Sequence, residues 1–515
     1  MKEMVKEKIK NLTARAVKNL YKKEVEIEVE RPVTKNYGDY TTNVAMAIKE
    51  NPQEIAKQIK STILEKVEVK NGFINFFLSK EYLQEQVKEI LKEKDKFGCL
   101  KINKGKRANL EFISANPTGE LHLGHGRGAF FGDVLANILE KSGAKVIKEY
   151  YINDAKTSLQ IKELGKTALG EGITYSTDYL KKAIKKIKNK IEKSSGEGEA
   201  GYLLAQLVQK DIRGFIEEKL KIRFAKWVSE ENDLYKKSKI AKIKNWLTKK
   251  RLIYKKEGAI WLKTSKYDET KDWVVIRGTG EPTYLLSDIA YHQDKFERKF
   301  DRIIDIWGAD HQGHVGKIKA VAKMLRYKGD LDILISQVVR LRKGKISKRK
   351  GQVVTLEWLI NEVGLDAARF FYLMKSLDTQ VEFDVDLAKE KSVKSPVYYI
   401  QYAHARICSI LRKIPNHKFP DSNLKLLVHH SELNLIKQLI RLPEIIEETA
   451  KDYQVQRLPQ YSTELAAAFH QFYRDCRVLT ETRSLLAARL ALVLATKIVL
   501  NNTLDLMGIS APEKM

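Results

Sequence analysis

The stretch from Asn109 to Glu140, NLEFISANPTGELHLGHGRGAFFGDVLANILE, confines this chain to an α/β architecture. Leu110, Phe112 and Ile113 read as a short buried strand, and Asn116-Pro117-Thr118-Gly119 as a turn. From Leu123 the apolar residues take helical spacing, through Ala129, Phe130, Val134, Leu135, Ile138 and Leu139. The strand-to-helix join therefore carries His122-Leu123-Gly124-His125. A helix N-terminus presents unpaired N–H groups and partial positive charge, which suit phosphate. Gly124 lets a nucleotide approach the backbone, and the flanking imidazoles can donate to phosphate oxygens as charge develops on them. Two other readings stand beside this one. Gly124-x-Gly126-x-x-Ala129 fits a dinucleotide fingerprint with Glu140 or Glu149 as ribose acid, but leaves both histidines without a role. A purely structural glycine-rich turn is the third.

The following segments extend the α/β reading. Lys145–Ile152 is a second strand, so a parallel, doubly wound sheet is expected, with ligands at the carboxyl ends of its strands. Residues 160–265 read as an insertion, with Ile184, Ile187 and Ile191 striping one lysine-rich helix and Ser194–Gly201 as a flexible break. The sheet is expected to resume at Val274–Ile276, with Thr283–Asp288 leading into a helix. Ile303–Trp307 forms a strand that ends in Gly308-Ala309-Asp310-His311. Gln337–Leu341 is the next strand, followed by the basic run Arg342–Gly351. Bounded by glycines, that run can close over ATP and set Lys345 and Lys348 on the phosphates, where a solvated basic loop is the alternative.

The flanks differ. Residues 1–100 read as a separate α/β module. It has an opening helix over Val5–Ala16, a strand over Val25–Val29, a helix over Val44–Ile48, and a hairpin of Val67–Val69 with Phe73–Phe77 across Asn71-Gly72. Beyond Phe383 the pattern is wholly helical, with Pro396 at a first helical position and long apolar stripes over Leu465–Leu479 and Leu485–Leu506.

A formal net charge of +28 favours a polyanionic partner, nucleic acid ahead of an anionic membrane. Cys99, Cys408 and Cys476 are scattered, so neither a disulfide framework nor a zinc site is expected, and a reducing cytoplasmic setting is the default. The most apolar segment, Leu485–Leu500, contains Arg489 and Lys497 and reads as a buried helix, so no membrane association is expected.

Taken together, HLGH at 122–125, the Lys345–Arg349 loop, GDYTTNVAM, GFINFFLS, PVYYIQYAHARICSI and the terminal MGISAPEKM resemble the arginyl-tRNA synthetases, a class I family with HIGH and KMSKS signatures. The resemblance implies a Rossmann-like catalytic domain at 101–382, an added N-terminal domain at 1–100 that contacts the tRNA elbow, and a helical anticodon-binding domain at 383–515. It implies arginyl-adenylate formation from ATP with Mg²⁺, then transfer to tRNA(Arg), by an enzyme expected to be a monomer. His122, His125, Lys345 and Lys348 are the implied catalytic residues, and Gly124, Asp310 and His311 join them in holding ATP. Glu111, Ser114, Asn116, Tyr284 and Asp288 are the implied arginine site. A planar, permanently charged guanidinium needs such fixed carboxylates. Here Ile346 replaces Met and Arg349 the last Ser of KMSKS, and Ala155-Lys156-Thr157 replaces the family's Gly-Asn-Gln. A small-substrate nucleotidyltransferase or a non-catalytic RNA-binding paralogue remains an alternative.

Overall fold

The computed structural model describes residues 4–172, 174–342, 354–414, 423–479 and 482–515. Five parallel strands make the central sheet, in the spatial order Asp330–Ser336, Arg302–Gly308, Arg107–Glu111, Lys145–Ile152, Lys226–Ser229. The Leu123–Lys141 helix connects the third of these to the fourth, and its apolar face is buried through Phe130, Val134, Leu135 and Ile138. Gly132 lies against the Phe112 ring so closely that an added Cβ would sit 2.4 Å from it, so helix and strand meet where no side chain fits. That contact fixes where the helix N-terminus, with His122 and His125, stands above the sheet.

Several expectations change. The Lys226–Ser229 edge strand lies inside the stretch read as an insertion, so residues 160–265 contribute to the sheet itself. Val274–Ile276 lies in Trp273–Ile276, which pairs antiparallel in a separate three-stranded sheet with Ala259–Leu262 and Ile253–Lys256. The outer strand of the parallel sheet is instead Asp330–Ser336, which is half-buried from Leu331 to Ser336, as an edge strand is. Residues Val339–Leu341 form a two-stranded parallel pair with Val381–Phe383, outside that sheet.

Within 160–265, the isoleucine stripe spans two helices, Asp178–Lys186 and Lys188–Ile191, broken at Ile187. The expected break is confined to Ser194–Gly196, a non-helical bend, and the rest of Ser194–Gly201 starts the Glu197–Glu218 helix. Its glycines serve close approach: a Cβ on Gly201 would fall 1.8 Å from the Ile161 carbonyl oxygen, and one on Gly165 1.7 Å from that of Glu197. Two helices thus cross backbone to backbone, which glycine alone permits.

The chain divides into two compact units. The sheet unit is Lys101–Glu390 with Gln454–Gln456, and the other joins Met1–Leu100 to Lys391–Tyr453 and Arg457–Met515. In the second unit the expected hairpin is present, Leu64–Lys70 against Phe73–Leu78, with Tyr40–Thr42 on its other edge. Val25–Val29 forms no ladder, and only the bridge Glu30–Thr41 ties that stretch to the sheet. The helical part runs as expected, with Pro396 opening Pro396–Arg412 and with Arg457–Asp475 and Arg483–Met507 as the long helices. Among the described residues, Arg483–Met507 is the one helix long and apolar enough to cross a membrane by length and composition, and Leu490, Leu492, Val499 and Leu500 are buried within the unit.

The N-terminal module and the helices share a buried polar joint. Glu444 accepts from Arg31 Nε at 2.9 Å and from the Tyr40 hydroxyl at 2.5 Å, and Gln84 donates to the Leu427 carbonyl at 3.0 Å. Glu444→Ala is expected to cost about 1.5–3 kcal/mol, because it leaves Arg31 and the buried Tyr40 hydroxyl without their acceptor. Urea denaturation checks this, and an unchanged midpoint would show the joint carries no stability.

Candidate active site

Acidic and imidazole groups gather at the carboxyl ends of the parallel strands. His122 caps the Leu123–Lys141 helix: its Nδ1 accepts from Gly124 N at 3.1 Å, and His125 Nδ1 accepts from His122 N at 3.0 Å. Each Nδ1 is therefore an acceptor, which leaves Nε2–H as the donor on both neutral rings. The rings lie 3.8 Å apart, centroid to centroid. Burial, aided by His122, pushes His125 down to about 3, and burial also lowers His122. Both histidines are thus neutral donors at physiological pH.

The strand before them ends at Glu111, two residues sooner than expected. Ile113 and Ser114 instead take left-handed backbone angles, φ 68° and 37°. A β-branched residue held there is strained, at a cost of order 1–3 kcal/mol. The turn brings Ser114 Oγ to Glu111 Oε1 at 2.9 Å, while the same hydroxyl accepts from Tyr151 N at 3.1 Å. The other Glu111 oxygen is held by Lys295, which is fully buried and also donates to Asp305 Oδ1 at 2.6 Å. His292 Nε2 lies 3.0 Å from the second Asp305 oxygen. The Lys295 ammonium, with the His292 hydrogen bond beside it, holds the Asp305 carboxyl below the usual range against the burial that would raise it.

Glu149, a candidate ribose acid in the dinucleotide reading, is saturated. Arg298 donates to both of its oxygens at 2.5 and 2.8 Å, Tyr291 at 2.9 Å and Asn109 at 3.0 Å. Glu140, the other candidate, is exposed near the far end of the helix. Neither acid is free at the glycine turn.

Two acids stand differently. Burial, with Glu111 adding repulsion, pushes Asp288 up to about 6, despite the opposing pull of His292. Glu230 is 2 % exposed and is pushed up to about 7 by burial, with Asp288 and Asp154 adding repulsion. Among the described residues, Glu230 Oε2 and the buried Tyr151 hydroxyl have no hydrogen-bond partner. Glu230, Asp288, Glu111 and Asp154 all act electrostatically on Tyr151, whose ring stacks on Tyr291 at 4.3 Å. The result is an anionic, under-satisfied pocket of the kind that takes a cationic, donor-rich ligand.

Sequence reasoning missed Glu230 because it lies in the stretch taken as an insertion. The readable signal was an acid separated only by Ser229 from the apolar pair Trp227-Val228, just past a strand's end. Tyr284 opens the helix that carries Asp288 and is 40 % exposed, and Asn116 is half-buried in the turn before the histidines. Asp310 and His311 are exposed, 3.4 Å apart, and the Asp310 charge reaches His122. The Ala155-Lys156-Thr157 departure has a structural partner: Lys156 N donates to Glu231 at 3.1 Å and its Nζ to Glu199 at 3.2 Å. Lys345 and Lys348 lie outside the described residues. The segment after them is tied to the histidine turn, since Leu123 N donates to Val354 O and Leu356 N to Leu121 O.

A parallel sheet with neutral histidines at the helix start and acids at the strand ends defines the catalytic domain of a class I aminoacyl-tRNA synthetase. The class I (R) tRNA synthetase catalytic domain model matches residues 86–407, the arginyl-tRNA synthetase N-terminal domain 1–78, and the DALR anticodon-binding domain 400–515. The arginine--tRNA ligase of Carboxydothermus hydrogenoformans is 41% identical, covering 96% of this chain and 95% of that one. A putative arginyl-tRNA synthetase structure from Campylobacter jejuni covers 85% of this chain and 100% of its own, at TM-score 0.76 and 32% identity. The Thermus thermophilus arginyl-tRNA synthetase superposes at TM-score 0.81 over 99% of this chain and 100% of its own, and at 22% identity shows the shared fold. The chain belongs to the arginyl-tRNA synthetase family. It ligates L-arginine to tRNA(Arg) in two steps, ATP-dependent formation of arginyl-adenylate and transfer to the 3′-terminal ribose of the tRNA.

Proposed function

We propose that Glu230 and Asp288 read the arginine guanidinium, with Tyr284 beside them, while Asn116 and Ser114 hold the amino-acid end. Glu111 shapes this pocket from a fixed position, since Lys295 and Ser114 engage both of its oxygens. The observation that carries the reading is the buried, partnerless Glu230 oxygen together with the raised Asp288 carboxyl. A guanidinium supplies both the charge and the donors that these groups lack. Citrulline, neutral but nearly isosteric, is expected to bind far more weakly than arginine. Isothermal titration with the two ligands decides, and equal affinities would refute the assignment.

For the chemical step, arginine's carboxylate attacks the α-phosphorus and pyrophosphate leaves. His122 and His125 donate from Nε2 to phosphate oxygens, and Gly124 leaves room for the nucleotide. Lys345 and Lys348 offset the negative charge that grows on the leaving phosphates. Asp310 and His311 are assigned to the adenosine ribose. Magnesium enters with ATP as part of the substrate. The described residues include no cluster of three or more His, Cys, Asp or Glu able to hold a metal on their own, and the ATP phosphates supply oxygen ligands.

The N-terminal module at 1–100 is assigned to the tRNA elbow and the helical region from 383 to the anticodon arm. The catalytic domain is assigned to 101–382. A monomer working in the cytoplasm is the proposed setting, in keeping with three cysteines that are not joined in disulfides. With +28 net charge, tRNA affinity is expected to fall steeply with salt. The log–log slope should be roughly −0.7 to −0.9 per phosphate contacted. Filter binding across a salt series measures it, and a flat response would remove the electrostatic account.

A further inference from the structure

The sheet unit carries a second cavity, of about 740 Å³, at the opposite end of the strands from the active site. Its floor is the start of three parallel strands, where Arg107, Arg302 and Asp330 begin their runs, whereas the active-site groups stand at the carboxyl ends. The volume lies within the range of small-molecule sites, about 300–1,000 Å³. Trp246, Phe296 and Tyr327 supply an aromatic lining, each half-buried, and the last two stack at 4.3 Å with planes 15° apart. Leu139, Ala108 and Leu325 extend the apolar surface.

The rim is cationic. Six basic residues line the cavity, Lys106, Arg107, Lys299, Arg302, Arg326 and Lys328, against three acids, Glu297, Asp301 and Asp330. Cations near helix C-termini commonly serve the helix dipole, so their existing duties decide what is left over. Arg107 Nη1 caps the end of the Tyr284–Glu297 helix, donating to the Arg298 and Lys299 carbonyls at 3.0 and 3.4 Å. Lys106 pairs with Asp301 at 3.3 Å, and Arg302 with Asp330 at 3.5 Å. Among the described residues, Lys299, Arg326 and Lys328 have no carboxylate within ion-pair distance, and all three are exposed. Lys299 and Arg326 also hold left-handed backbone angles, φ 56° and 55°, and a Cβ on Gly329 would fall 2.5 Å from the Tyr327 hydroxyl. The two loops bearing these cations are thus shaped by tight local turns.

An aromatic wall beside unspent cations matches one ligand chemistry: a flat heteroaromatic ring joined to an anion. We propose that this cavity binds a purine nucleoside phosphate, with the base on Trp246, Phe296 and Tyr327 and the phosphate on Arg326 and Lys328. Aromatic side chains stack any base, and guanidinium and ammonium groups are the usual phosphate partners. A ligand seated here would occupy a site separate from the one that adenylates arginine.

The test uses the full-length enzyme with its active site filled by a non-hydrolysable arginyl-adenylate analogue, titrated calorimetrically with guanosine monophosphate. One nucleotide per chain should bind. Arg326→Ala with Lys328→Ala, and separately Trp246→Leu, should each weaken binding at least tenfold while aminoacylation persists and reports an intact fold. Guanosine alone and inorganic phosphate alone should both bind more weakly than the nucleotide. Absence of binding at about 1 mM nucleotide, where even contacts contributing only about 4 kcal/mol would register, overturns the proposal. Wild-type affinity in the Arg326/Lys328 double variant, or phosphate binding as tightly as the nucleotide, overturns it equally.

Discussion

Replacing His125 by alanine is expected to slow arginyl-adenylate formation roughly 10²–10³-fold, the usual effect of removing one donor to charge that develops in the transition state. Arginine affinity should change little, because the imidazole faces phosphate rather than the amino-acid pocket. The structure adds a sharper consequence. With His125 pushed down to about 3, its ring stays neutral from pH 5 to 8, and burial shifts His122 in the same direction. The His125 contribution to the single-turnover rate should therefore show no titration in that range, unlike an imidazolium donor near its ordinary value of about 6.5. Lys348→Ala should slow the same step with arginine binding intact, since its partner charge also belongs to the transition state. Quench-flow measurement of adenylate at several pH values checks these points together. A wild-type rate in the His125 variant would remove the assignment, and a histidine-like inflection near pH 6.5 that disappears with His125 would remove its neutrality.

Arginine affinity should rise with pH across the interval from about 5 to 8. Glu230, pushed up to about 7, and Asp288, pushed up to about 6, must both lose protons before they can pair with a guanidinium. Arginine keeps its own charge throughout, so the carboxyls alone set the dependence. Below both values affinity should change up to a hundredfold per pH unit, between them about tenfold, and above pH 8 it should level. Glu230→Gln should delete the upper limb and weaken binding roughly 10–100-fold, in line with about 1.5–3 kcal/mol for a hydrogen bond to a charged group. The sign for stability runs the other way. A carboxyl with a raised value in the folded state binds protons that the unfolded chain has released, so these two groups lower the stability of the empty enzyme as pH rises from about 4 to 7. Arginine should consequently raise Tm more at pH 8 than at pH 5.5. Calorimetric titration of arginine from pH 5 to 9 decides, and a pH-independent Kd would mean these acids do not hold the guanidinium.

The sequence by itself determined the strand–turn–helix at 109–140, because the change from strand to helical spacing is local and the histidines stand at the change. It determined the hairpin across Asn71-Gly72, the helical region after Phe383 and the family, for the same reason: periodicity, turn residues and contiguous motifs are properties of neighbouring residues. Only the tertiary structure decided which strands share a sheet. Val274–Ile276 and Gln337–Leu341 both read as strands of the sheet in one dimension, yet the first lies in a separate antiparallel sheet and the parallel edge is Asp330–Ser336. Strand pairing is a long-range choice that the alternation of a single segment does not encode. The tertiary structure also sorted the acids. Glu111, Glu149, Glu230 and Asp288 are all carboxylates near strand ends or helix starts, and no spacing rule separates them. Lys295 and Arg298 neutralise two of them from distant points of the chain, while Glu230 and Asp288 are buried with no such cation hydrogen-bonded to their carboxyls among the described residues. The glycines of Ser194–Gly201 follow the same logic. Read along the chain they signal a break, but Gly201 against the Ile161 carbonyl allows two helices to touch, because what a missing side chain permits depends on what lies opposite it.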